Sequence, residues 1–169
     1  MSLDNPNRLR AKELVELFPG IHLRELQRLL RTSFSTTRYH VENLERDGEV
    51  LRWNVGRHSR IFPAGFDERA RSLYSVLHNR TTRQVLRALA IRGQSANGEI
   101  STATGLPKST VSDCFALLCT TGLVEKSTVS GTVSVYKVLD QEGVNEALAL
   151  FERNLLTVAA DSFIDLWEF

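Results

Sequence analysis

Apolar positions in this chain of 169 residues change period in the same order twice. Helical spacing predicts a first helix at about 8–18 and again at about 82–92, ended by Pro19-Gly20 in one case and Gly93 in the other. Shorter helical stretches follow at about 23–31 and 98–104. The second runs into Gly105-Leu106-Pro107, where Gly suits a C-cap and Pro the next N-terminus. A third helix is predicted at 35–47, burying Thr37, Val41 and Leu44. Its counterpart at 108–121 buries Val111, Phe115 and Leu118 at the same i, i+4, i+7 spacing. Gly48 and Gly122 close these helices, and the period then drops to two. In 50–62, Val50, Arg52 and Asn54 alternate with Leu51, Trp53 and Val55; 124–138 turns at Ser130-Gly131. Both segments read as β-hairpins.

The two copies superpose without a gap at a spacing of 74 residues. Glu25 falls on Glu99, Leu26 on Ile100, Thr36 on Thr110, Val41 on Phe115, Leu44 on Leu118, Gly48 on Gly122 and Val50 on Val124. Helix, helix, turn, helix, hairpin is a winged helix, in which a short turn fixes two helices at a steep angle and exposes one face of the second. The predicted fold is mainly α with small β-hairpin wings. It comprises an N-terminal winged helix (1–65), a connecting helix (66–79) carrying Ala70, Leu73, Tyr74 and Leu77 on one face, a second winged helix (80–139), and an acidic amphipathic C-terminal helix (140–169). The last helix is expected over 141–167, with Val144, Leu148, Phe151, Leu155 and Val158 forming a seam of alternating four- and three-residue steps.

Charge is unevenly spread. Residues 1–66 carry 11 Lys+Arg against eight Asp+Glu, residues 67–139 nine against five, and residues 140–169 only Arg153 against seven acids. A net charge of +1 therefore hides a basic body with an acidic tail, which suits a polyanion for the body and a protein contact for the tail. The N-terminal residues lack the apolar core of a secretory signal, and no run is apolar enough to span a membrane. Two cysteines make no disulfide framework, so the expected setting is a reducing cytoplasm.

The segments PGIHLRELQRLL, TTRYHVENLERDGEV and GRHSRIFP resemble the first half of tandem winged-helix transcriptional regulators common in archaea and related to MarR/ArsR-type repressors. The likeness extends through LHNRTTRQVLRAL and LPKSTVS to the C-terminal helix. It implies a sequence-specific regulator of double-stranded DNA, working as a homodimer through the C-terminal helix or the second winged helix.

The residues themselves permit that chemistry. A recognition helix offers base edges the side chains of its free face, mostly near its N-terminus. With Thr37, Val41 and Leu44 inward, helix 35–47 presents Ser35, Thr36, Arg38, Tyr39 and Glu42. Ser and Thr at its start suit capping and phosphate contact, and Arg38 has the fork for guanine. The bland alternative makes Arg38 and Glu42 a surface pair at i, i+4. The first wing, 52–60, gathers Arg52, Arg57, His58 and Arg60 with no acid, a composition suited to phosphates or an A·T-rich minor groove. A solvated hairpin edge guarded by charge is the plain reading of the same residues. The second copy offers Lys108, Ser109 and Ser112 beside Asp113 and Ala116, a weaker set for a polyanion.

No catalytic or cofactor motif stands out. Cys114 and Cys119 fall about 140° apart on one helix, which keeps them from sharing a metal or a disulfide, and His22, His40, His58 and His78 lack ligand spacing. No enzyme, cofactor or metal site is expected. The rival reading is a winged-helix adaptor that binds proteins in a transcription or other assembly without specific DNA contact, because fold alone does not fix function. A small-molecule-sensing repressor is a further variant, needing a pocket that sequence does not reveal.

Overall fold

The computed structural model describes residues 5–55 and 58–164. The chain divides into two compact units, Met1–Ser75 and Val76–Phe169, with the division falling inside a helix.

In the first unit, α1 (Pro6–Leu17) begins where the Asn5 side chain accepts the Asn7 N–H at 3.0 Å, with Pro6 at the first helical position. It buries Ala11, Leu14 and Val15, one face of a helix. A two-residue strand β1 (Ile21–His22) leads into α2 (Leu23–Leu30), whose Glu25 carboxylate reaches back to the His22 N–H at 3.1 Å. Helix α3 (Phe34–Arg46) is capped by Ser33, whose Oγ accepts the Thr36 N–H at 3.1 Å; the helix thus begins one residue before the predicted start at Ser35. At its other end the Gly48 N–H donates to Glu45 and the Glu49 N–H to Leu44, at 3.1 and 2.9 Å, with Gly48 at φ +72°. This is the Schellman arrangement, which requires a left-handed residue there. Strands β2 (Val50–Val55) and β3 (His58–Pro63) form the predicted hairpin, and β1 pairs with β3 to give a three-stranded antiparallel sheet of order β1-β3-β2. Helix α4 (Glu68–Leu77) is shorter at both ends than the predicted 66–79.

The second unit repeats the plan. Its elements are α5 (Arg80–Arg92), β4 (Ser95–Ala96), α6 (Asn97–Thr104), α7 (Lys108–Thr120), β5 (Val124–Val129), β6 (Val133–Val138) and α8 (Gln141–Ile164). From β4 to β5 each element begins and ends 74 residues after its counterpart in β1 to β2, and the last strand is offset by one residue more. The extra residue falls in the hairpin loop, where Ser130 and Gly131 both take positive φ, as primed turns require. Asn79 caps α5 as Asn5 caps α1, the Glu99 carboxylate accepts the Ala96 N–H at 2.7 Å, and Gly122 closes α7 through the same pair of bonds as Gly48.

Each unit has its own core. Phe62, Leu14, Ile21, Leu26, Val41 and Leu44 are buried in the first; Phe115, Leu86, Leu89, Ile100, Leu118 and Phe151 are buried in the second. The short strands β1 and β4 were not foreseen, because two residues carry no readable period. Helix α8 packs on α5: Gln141 Nε2 donates to the Ala90 carbonyl at 2.6 Å, while at the other end His78 meets the Phe151 ring edge-on at 5.0 Å. The two helices therefore run antiparallel. At 1.5 Å per residue the 24 residues of α8 span about 36 Å, against about 20 Å for the 13 residues of α5. The predicted seam is buried at Val144, Leu148 and Phe151 only; Leu155 is exposed and Val158 half-exposed, because by then the helix has outrun α5. The last residues of the expected 141–167 helix lie outside the described residues. No helix among the described residues is long and apolar enough to cross a membrane.

Candidate nucleic-acid interface

Helix α3 is held from beneath and free above. Thr37, His40, Val41 and Leu44 are buried, and the Thr37 hydroxyl bonds to the Ser33 carbonyl at 3.0 Å, so the helix is fixed in rotation about its axis. The predicted outward set follows from that rotation. Ser35, Arg38 and Tyr39 are exposed, with Tyr39 at 56%, and Thr36 and Glu42 are partly so. An aromatic ring this exposed contributes nothing to the core. Its neighbour His40 points inward, the two rings edge to face at 5.5 Å. Arg38 Nε donates to Glu42 Oε1 at 2.7 Å, and this bond holds the Glu42 carboxyl below its usual range. The surface pair weighed against base contact therefore exists, and a duplex would have to compete with Glu42 for the guanidinium.

The wing differs more from its sequence reading. Arg52 is largely covered and lies 3.3 Å from the Glu45 carboxylate on α3. Arg60 is half-buried on β3 and donates to the Gly20 carbonyl at 2.8 Å, tying the wing to the loop before β1. Burial pulls its guanidinium below the ordinary arginine value. His58 is exposed and lies edge-on to the His22 ring at 5.7 Å, while His22 Nδ1 sits 3.0 Å from the Ser59 carbonyl. Arg57 lies outside the described residues. Of the described wing cations, two are thus engaged with their own unit. At the wing's base Trp53 is half-buried, with the Arg71 guanidinium 5.2 Å above its ring.

A basic row that the sequence reading passed over lies on α2. Arg24, Arg28 and Arg31 are exposed and spaced i, i+4, i+7, opposite the buried Leu26. The spacing is visible in the sequence, at every fourth and then third position of the short helix before the turn. Arg31 also ends the helix in the left-handed conformation, φ +53°, where the second unit has Gly105 at φ +71°.

The equivalent surface of the second unit lacks the arginines. At the 74-residue spacing Arg24, Arg28 and Arg31 become Gly98, Thr102 and Gly105; Arg38 becomes Ser112, Tyr39 becomes Asp113 and Arg46 becomes Thr120. Lys108, Ser109, Ser112 and Asp113 are exposed as expected, yet Ser112 Oγ already accepts from Asn97 Nδ2 at 2.7 Å. Leu117, Val129 and Val133 add exposed apolar surface. Cys114 is buried, its Sγ 3.8 Å from Thr82 Oγ1, whereas Cys119 is only half-buried; burial raises both thiols. Among the described residues no group of three or more His, Cys, Asp or Glu is placed to hold a metal ion.

Comparison with known proteins places a helix-turn-helix domain in each unit. Residues 5–73 match the family described as HTH_HVO_0163_N, an N-terminal HTH domain, and residues 82–128 match the IclR helix-turn-helix domain. A comparison with curated proteins returned no match. Among solved structures, the homodimeric winged helix-turn-helix DNA-binding domain Mb0332 from Mycobacterium bovis, described as a possible ArsR-family transcriptional regulator, is 26% identical over 60% of this chain and 87% of its own, with a TM-score of 0.39. ScpB from Mycobacterium tuberculosis is 14% identical over 83% of this chain and 94% of its own, with a TM-score of 0.32. Neither superposition is close enough to bear on this chain's partners. The two domain matches make the chain a tandem helix-turn-helix protein of the DNA-binding regulator type.

Proposed function

We propose that the protein is a sequence-specific transcription regulator whose first unit reads double-stranded DNA, of the archaeal MarR/ArsR-like kind that its sequence resembles. In this reading the N-terminal half of α3 enters the major groove, which is about 12 Å wide and admits a helix. Arg38 reads a base edge, Tyr39 meets phosphate or a thymine methyl, and Ser35 and Thr36 donate to the backbone. His58, with Arg57, lies along the adjacent phosphates or minor groove, and Arg52 supports α3 through Glu45. The single observation that carries the reading is the exposed arginine and tyrosine on the outer face of a helix whose inner face is locked in place. No step of this function is chemical, and no cofactor is invoked.

The working form in this proposal is a homodimer built on α8. Beyond Asn154 no described side chain of α8 is buried, yet Leu155 and Leu156 are exposed, Leu156 at 73%. About ten residues of unsupported helix are marginal alone in water. A second copy fits this stretch by charge: in an antiparallel pairing centred on Thr157, Arg153 of each copy faces Asp161 of the other. A two-fold dimer would match a pseudo-palindromic site. The second unit, whose outer face carries Lys108 and Asp113 in place of an arginine set and exposes Leu117, favours a second reading for that unit alone, as an adaptor that meets protein rather than DNA.

The test is a fluorescence-anisotropy titration into the DNA upstream of the protein's own gene and into a scrambled duplex, at about 50 and 200 mM salt. Tighter, salt-sensitive binding to the native duplex is expected. Absence of binding to either at the lower salt would remove the DNA reading and leave the adaptor.

A further inference from the structure

Two histidines far apart in the chain meet beside the first wing. His22 ends β1 and caps the start of α2, and His58 begins β3. In the ladder His22 stands opposite Arg60, and His58 lies two residues along the same strand, so the three side chains leave one face of the sheet. The imidazole rings lie edge to face with their centres 5.7 Å apart, His58 exposed and His22 half-buried. The sequence shows no ligand spacing among the histidines because the register of β1 on β3, rather than distance along the chain, makes this pair.

The hydrogen bond that His22 makes decides which of its nitrogens is free. Its Nδ1 sits 3.0 Å from the Ser59 carbonyl, which can only accept, so Nδ1 carries the proton. In the neutral ring the lone pair is then on Nε2. A ring whose other N–H is held by a backbone carbonyl has its tautomer and orientation fixed, as in metal-binding histidines generally. The spacing agrees. Two imidazoles bonded to one tetrahedral cation at about 2.0–2.1 Å have ring centres about 5.3 Å apart, so the pair has about 0.4 Å to close. The exposed His58 ring has the room to turn for that adjustment. Charge sets the strength of such a site. The Arg60 guanidinium opposes a cation, but it is bonded to the Gly20 carbonyl at 2.8 Å. The Glu25 carboxylate, which accepts the His22 N–H at 3.1 Å, acts on that guanidinium with the opposite sign. Imidazole nitrogens suit zinc, nickel and copper(II), whereas magnesium and calcium ask for oxygen ligands.

We propose that His22 and His58 form a two-histidine site for a divalent transition-metal cation of the zinc, nickel or copper(II) class, with water in the remaining positions. The cation cross-links β3 of the wing to the residue from which α2 starts, and so fixes the wing against the helix-turn-helix. The site is independent of the DNA reading above, since the chain binds the metal whether or not it binds a duplex.

The experiment titrates zinc chloride, and separately nickel chloride, into the full chain near neutral pH, as wild type and as His58→Ala. Calorimetry gives the affinity, and NMR of the histidine ring nitrogens under zinc gives the ligands. One cation per chain is expected. Removing a partner that merely supports a ligand costs a metal site about 10–100-fold in affinity, so losing one of two ligands in His58→Ala should cost at least about tenfold. His58 is exposed, and circular dichroism of the variant should match the wild type. The ring resonances of His22 and His58 should move together under zinc and stay in place under calcium. Protons compete for the same two nitrogens, so in the acid limit the affinity should fall about a hundredfold per pH unit, against about tenfold for a single histidine. The proposal is overturned if the wild type takes up neither metal, if His58→Ala keeps the affinity within about threefold, or if the His22 ring stays unmoved while His58 shifts.

Discussion

Replacing Arg31 by glycine is expected to raise the stability of the first unit. Arg31 ends α2 at φ +53°, and its counterpart Gly105 ends α6 at φ +71°. A left-handed backbone costs a non-glycine residue about 1–2 kcal/mol. Glycine relieves that cost but loses about 0.5–1 kcal/mol through the greater freedom of its unfolded chain. The net gain is about 0.5–1 kcal/mol, at the lower end once the contacts that Arg31 itself makes are lost. Trp53 lies in the same unit, so its fluorescence in a Trp167→Phe background follows unfolding of that unit alone. With a urea dependence of about 1 kcal/mol per molar, the midpoint should rise by about 0.5–1 M. The reverse change, Gly105→Ala, meets no atom within 4 Å of the new Cβ, so its cost is conformational, about 1 kcal/mol, and shows as faster hydrogen exchange in α6. A midpoint that falls in Arg31→Gly would show that the side chain's contacts outweigh its backbone strain, and the reasoning from the left-handed cap would be wrong.

Arg38→Ala should cost about 1–3 kcal/mol at the native site and relax the preference at one base pair, measured by competition with duplexes substituted one position at a time; an equal loss on scrambled DNA would make Arg38 a phosphate contact instead. His40 is buried with no partner for Nδ1, and burial, then the nearby Arg8, lower its pKa. The unfolded chain therefore binds the proton more readily, so the stability of the first unit is full above about pH 6.5 and declines as pH falls below it. Urea midpoints at pH 7, 6 and 5 should drop in sequence, and His40→Leu should flatten that decline; an unchanged decline would place it on other groups. Leu156→Asp should convert the dimer to monomer in light scattering at tens of micromolar and weaken binding to the full site more than to a half-site; a dimer that survives would move the interface off α8.

The architecture was readable because the two copies reported on each other. The Gly that closes each third helix, the carboxylate that begins each second helix and the apolar triplets on α3 and α7 recur at one spacing, and each has a local physical cause. The elements that escaped, β1 and β4, are too short to show a period and exist only because β3 and β6 offer them an edge. The site was less legible. Facing direction on α3 followed from which side chains are apolar, and the structure puts Arg38 and Tyr39 where that rule puts them. The wing misled because a sequence shows how many cations a hairpin carries but not which are occupied. Arg60 reaches Gly20, 40 residues away, and no local pattern announces a contact of that range.

The repeat also separates what folding requires from what function adds. Both units share the Asn cap of the first helix, the carboxylate that begins the second, the same Schellman turn and the same buried triplet positions, so those features belong to the fold. What differs at matched positions is freed from that requirement: arginine against glycine or threonine on the second helix, Arg38 and Tyr39 against Ser112 and Asp113 on the third. The first unit has arginines along its second helix and a left-handed non-glycine residue at that helix's end; the second has glycine and threonine at the matched positions and exposes Leu117, Val129 and Val133. Two copies of one fold with opposite surfaces imply a division of labour, in which one unit meets a polyanion and the other a surface of lower charge. Adding the first unit's arginines at the matched positions, by Gly98→Arg/Thr102→Arg, tests that division directly: it should steepen the salt slope of duplex binding only if the second unit already lies against the duplex.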